Sequence, residues 1–136
     1  MRAALRHPVA WWVVLVFGCM PWAWLLAQTL LDQLGPNPAE TLIRSTGDWT
    51  LRSLCVVLAV SPLRSWLGWP ELLRFRRLLG LLVFGYASLH LLCYAWFDMG
   101  LDAADIAADI AKRPFILLGF TAFVLLLALA ATSYNR

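Results

Sequence analysis

Apolar residues come in long runs along this chain. Residues 8–31, 78–97 and 114–134 contain no Asp, Glu, Lys or Arg. Each run meets the requirement of about 20 consecutive apolar residues to cross a hydrocarbon layer roughly 30 Å thick. Lipid offers no partner to an unpaired backbone N–H or C=O, so such runs must close their own hydrogen bonds as helices. In a fourth run, residues 49–67, the only charged residues are Arg52 and Arg64, near its two ends. Long arginine stems can carry their charge to the interface. The pattern predicts an all-α integral membrane protein of four transmembrane helices, about 9–31, 49–67, 78–97 and 114–133, in one domain. The first run is too long for a signal-peptide core and no small-residue cleavage site follows it, so it is expected to be retained.

The polar stretches carry their own signals. Asn37-Pro38-Ala39-Glu40 reads as an N-cap, a proline at the first helical position and a capping-box glutamate, and Gly47 reads as a stop. These predict a short surface helix from Pro38 to about Thr46. Asp48 and Arg52 then fall one turn apart at the start of the second span, where they can pair. Asp102 can cap a second short helix in which Ile106 and Ile110 share one face and Asp105 and Asp109 another. Pro114 is placed to open the fourth span, and Pro21 to kink the first. Trp11, Trp12, Trp49, Trp66, Trp69 and Trp96 sit near span ends, as an interfacial aromatic belt requires.

Composition agrees: 62% of the residues are hydrophobic and 14% charged, where soluble domains carry about 25% charged residues. The net charge of +3 could suggest nucleic acid, but its placement argues otherwise. Arg2 and Arg6 precede the first span, and Arg64, Arg74, Arg76 and Arg77 lie between the second and third. Asp32, Glu40 and Asp48, then Asp98, Asp102, Asp105 and Asp109, occupy the other two loops. Under the positive-inside rule this alternation predicts a multi-pass membrane protein with both termini in the cytoplasm and the short helices external. Cys19, Cys55 and Cys93 fall one in each of the first three spans, without CxxC or CxxCH spacing, so neither a redox pair nor covalent heme attachment is expected.

Chemistry centres on His90, the histidine within a span. It lies eight residues from Asp98, about 12 Å below the outer surface at the rise of a helix. Val83, Tyr86, Ala87, Cys93, Tyr94 and Phe97 share its face, which suits a flat apolar cofactor such as a non-covalently held heme. The plainer reading is a histidine that hydrogen-bonds between helices. Arg52, about one turn below the same surface, can either reach heme propionates or pair with Asp48 and snorkel. Arg74, Arg76 and Arg77 form a cationic patch at the inner face: a topology signal attracting anionic lipid, or an anion site for a flavin phosphate or a soluble reductase. His7 is expected to be interfacial and without a role. No Ser-His-Asp set, GxGxxG or phosphate loop occurs, and the carboxylates lie in loops, so hydrolase chemistry has no support.

The stretches GPNPAETLIRSTGDWTLR (35–52), SPLR (61–64), RFRRLLGLLVFGYASLH (74–90) and DIAKRPFILLGF (109–120) carry a family resemblance. The chain resembles the MsrQ (YedZ) family, heme-binding membrane subunits of bacterial protein-methionine-sulfoxide reductase systems within the ferric-reductase-like transmembrane group. That resemblance implies a b-type heme with His90 as axial ligand, and an association with FMN. It also implies electrons arriving from quinone or a cytoplasmic flavin reductase and leaving to a periplasmic molybdopterin-containing catalytic partner. The chain itself would then be an electron-transfer subunit and not the catalytic one. The family continues into further spans carrying more heme-ligating histidines, so the chain is expected to be a C-terminally truncated form. His7 cannot replace those histidines from the opposite face, and nothing in the spacing of Met20 or Met99 singles either out as a ligand. The competing expectation is a non-redox anchor or scaffold without heme. A transporter is disfavoured by the lack of intramembrane carboxylates.

Overall fold

The computed structural model describes residues 7–134; Arg2 and Arg6, part of the topology argument, lie outside them. The described chain forms five α-helices: α1 (Pro8–Leu30), α2 (Pro38–Leu67), α3 (Leu73–Cys93), α4 (Ala103–Lys112) and α5 (Pro114–Tyr134). A 3₁₀ turn, Pro70–Leu72, leads into α3, and a π-helical turn, Tyr94–Asp98, extends it.

Most helix boundaries follow from the caps legible in the sequence. Pro8 starts α1 behind His7, whose Nδ1 accepts from the Val9 N–H at 3.3 Å, so His7 has a capping role that the sequence reading did not assign. Asn37 Oδ1 accepts from the Glu40 N–H as the expected N-cap, while the Glu40 carboxylate accepts at 3.1 Å from the Asn37 side-chain Nδ2 and not from the backbone N–H that a capping box would use. Asp102 accepts from the N–H groups of Ala104 and Asp105 to start α4. Gly68 ends α2 with φ 62° and ψ 35°, a left-handed conformation that glycine adopts without a Cβ penalty.

One boundary is corrected. Gly47 does not stop a surface helix: α2 runs unbroken through it for 30 residues. The expected surface helix and second span are therefore one element. A glycine needs a reason to sit mid-helix, since it weakens the helix by about 1 kcal/mol relative to alanine. Here the reason is tertiary, because the His90 ring lies against Gly47. The expected Asp48–Arg52 pair is also not formed; the Arg52 guanidinium sits 5.1 Å from the centre of the Trp49 ring, a cation–π contact.

α3 is the central element. It packs most extensively on α2 and also touches α1 and α5. It supplies most of the buried apolar residues, among them Phe75, Leu78, Val83, Tyr86, Ala87 and Cys93, while α1 adds Leu25 and α2 adds Val60. Gly18 of α1 gives close approach to α3, since a Cβ there would run into Leu82. Beside it Tyr86 Oη donates to the Gly18 carbonyl at 2.7 Å, and Trp22 meets the Tyr86 ring edge-on at 5.4 Å. Phe84 stacks on Phe123 to seat α5, centroids 5.8 Å apart.

The outer surface is apolar. Phe17, Trp24, Leu118 and Leu129 are each at least 65% exposed, and large apolar side chains exposed along whole helices require lipid or another apolar cover. Three helical stretches, Pro8–Leu30, Pro70–Asp98 and Pro114–Ser133, are long and apolar enough to cross a membrane. The chain is a helical membrane protein.

Candidate functional site

His90 lies on the last full turn of α3, facing the N-terminal half of α2. Its Nδ1 is 3.0 Å from the Ile43 carbonyl oxygen and 3.2 Å from Thr46 Oγ1. A carbonyl can only accept, so Nδ1 carries the proton. The Thr46 hydroxyl hydrogen is engaged elsewhere, donating to the Leu42 carbonyl at 2.7 Å, which leaves its oxygen free to accept from the same Nδ1–H. Thr46 is 1% exposed, so water does not compete for that contact. In a neutral ring this leaves Nε2 unprotonated, the form in which imidazole donates to a metal.

The backbone of α2 fixes the ring in the other direction. A Cβ at Gly47 would stand 3.0 Å from His90 Cε1 and 3.3 Å from Nδ1, closer than most real Cβ contacts. Little more than one turn of α2 thus holds one imidazole: Ile43 and Thr46 by hydrogen bonds, Gly47 by its missing side chain.

The face of α3 expected to receive a flat cofactor is largely taken up by helix packing. Val83 and Tyr86 are 1% and 2% exposed. Tyr94 turns outward, where its Oη donates to Asp109 Oδ2 at 2.7 Å, and Asp109 in turn pairs with Arg113 at 3.0 Å. This ties α4 and the start of α5 over the π-helical turn that follows His90. Such turns recur at functional sites because the extra residue re-aims the side chains around it.

The remaining candidates are scattered. Arg52 is exposed over Trp49, and five residues beyond Gly47 it points about 140° away from it around the helix axis. Arg76 and Arg77 line a cavity between α2, α3 and α5, and Arg74 is not among its lining residues. Arg76 and Arg77 lie about 20 Å from His90 along α3, at 1.5 Å per residue. Met20, at 63% exposure, faces outward on α1. Cys19, Cys55 and Cys93 are free thiols, and no cluster of three His, Cys, Asp or Glu side chains occurs among the described residues. Sequence reasoning missed Ile43, Thr46 and Gly47. Their signal was a small and a hydroxyl residue adjacent in the interior of a helix, which reads as a helix end until the partner helix is known.

Fold and site together define a membrane helix bundle with one imidazole held between two helices near one end. A family described as the ferric reductase-like transmembrane component matches residues 46–136, and the chain belongs to that family. It is 61% identical, over 96% of its own length and 60% of the relative's, to a protein-methionine-sulfoxide reductase heme-binding subunit MsrQ of Polaromonas naphthalenivorans. A subunit of the same description from Herminiimonas arsenicoxydans is 49% identical over 90% of this chain and 56% of the relative. One from Azospira oryzae is 57% identical over 75% and 44%. The chain thus spans 60% or less of the length of these relatives. No solved structure matches it.

Proposed function

We propose that this chain is the heme-holding part of a membrane electron-transfer subunit of the MsrQ kind, with His90 Nε2 as an axial ligand of heme iron. The observation that carries the reading is the fixed tautomer: Ile43 O and Thr46 Oγ1 hold the Nδ1 proton, and Nε2 is left as the donor. The donor type fits one axial position of a b-type heme, which needs no covalent attachment motif. The other described histidine, His7, caps the opposite end of α1 and does not reach it.

When bound, heme supplies a one-electron carrier within the bilayer. The chain's own residues do the rest. Ile43 and Thr46 hold the Nδ1 proton and orient the imidazole, and Gly47 sets how far the ring sits from α2. The Tyr86 bond to Gly18 and the Trp22 ring against it seat α1 on α3 one turn before His90. In the finer reading α2 supplies a fourth span through 49–67, and both termini face the cytoplasm of a bacterial inner-membrane protein. The His90 end then faces the periplasm, electrons leave there to a molybdopterin-containing methionine-sulfoxide reductase, and quinone or a cytoplasmic flavin reductase supplies them from the Arg76 end. FMN has only the phosphate-binding capacity of Arg74, Arg76 and Arg77 behind it.

The test is a visible spectrum. The chain is purified in mild detergent with heme supplied during expression, and oxidised and reduced spectra are recorded beside His90→Ala. A Soret band lost in the variant supports the assignment. A colourless, folded wild-type protein would overturn it for this chain and favour a non-redox membrane anchor.

A further inference from the structure

α2 and α5 both lean on α3 but hardly touch each other, and at the end of the bundle opposite His90 this leaves a cleft of about 730 Å³. Its walls are apolar: Leu54 and Leu58 from α2, Leu81 from α3, Leu126 and Leu129 from α5. Gly80 faces open space there, with no atom within 4 Å of where a Cβ would stand. The same cleft is lined by the guanidinium-bearing Arg76 and Arg77 and by the hydroxyls of Thr132 and Ser133. Neither arginine forms an ion pair with any described residue.

We propose that this cleft binds one anionic glycerophospholipid, its phosphate between Arg76 and Arg77 and an acyl chain lying over Gly80 between α2 and α5. The volume lies within the 300–1,000 Å³ range of ligand sites. The charge is complementary, since two cations without an ion-pair partner among the described residues share one cavity. Basic pockets between membrane helices are suited to phosphate headgroups for this reason. The apolar walls select a lipid over a free anion, because a small hydrated phosphate gains nothing from leucine side chains, whereas an acyl chain buries its length against them. The inference is independent of heme: it concerns the opposite end of α3 and none of the residues that hold His90.

The experiment uses the full chain in detergent micelles with phosphatidylglycerol, phosphatidylcholine or inorganic phosphate as probes, and counts bound lipid by native mass spectrometry. One phosphatidylglycerol per chain should be retained in preference to phosphatidylcholine, and inorganic phosphate should not displace it. Replacing both Arg76→Gln and Arg77→Gln should weaken retention roughly 30-fold, from about fivefold per cation near a membrane surface. Gly80→Leu fills the cleft without touching the arginines and improves helix propensity, so it should fold and still lose the lipid. Equal retention of the two lipids overturns the charge argument. Retention unchanged in Gly80→Leu, or displacement by phosphate, overturns the lipid and leaves a free-anion site.

Discussion

Alanine at Gly47 separates the tertiary reading of α2 from the sequence reading. Were Gly47 a helix stop or a neutral helical position, alanine would gain helix propensity, up to about 1 kcal/mol. In the structure the new Cβ would lie 3.0 Å from His90 Cε1. The ring must then retreat by a few tenths of an ångström, but its Nδ1 is held by Ile43 O and Thr46 Oγ1. Overpacking of this kind costs about 1–3 kcal/mol, and stretching the Nδ1 contacts forfeits part of roughly 1 kcal/mol more. The net expectation is a loss of about 1–2 kcal/mol. Gly80→Ala is the internal control, since nothing lies within 4 Å of its Cβ position; it should stabilise by up to about 1 kcal/mol. The two variants should therefore differ in sign. Reversible unfolding in mixed micelles, followed by far-UV circular dichroism, measures both. Should Gly47→Ala and Gly80→Ala stabilise alike, His90 is not seated on α2 and the account of the site fails.

Thr46→Val removes one of the two acceptors of His90 Nδ1 while keeping the shape, and should weaken heme binding about tenfold, as loss of a hydrogen bond behind a metal ligand typically does. Thr46→Ser should restore it, and ¹⁵N shifts of the His90 ring without heme should show Nε2 gaining proton occupancy in the valine variant only. Tyr86→Phe removes the bond to the Gly18 carbonyl at a side chain that is 2% exposed. It should lower stability by about 1–2 kcal/mol in the same unfolding assay, and an unchanged midpoint would mean that α1 is not held at that point.

Much of the fold follows from local signals. Runs of twenty apolar residues must be helices in lipid, whatever their neighbours, so α1, α3 and α5 were determined by hydropathy alone. Asn37, Asp102 and Pro114 determine helix starts because a cap acts within one turn of its own position. His90 stood out for a similar reason, as an ionisable side chain within an apolar run. What only the tertiary structure decided is what meets His90. Gly47 looks the same in sequence whether it ends a helix or admits a ring from another one, and the choice depends on α3 lying across it. Thr46 reads as an ordinary hydroxyl bonded back to its own helix until His90 arrives to share its oxygen. The cleft between α2 and α5 has no sequence signature either, because a void is set by how two helices lean on a third. Short-range chemistry is written along the chain; the angle at which helices cross is not.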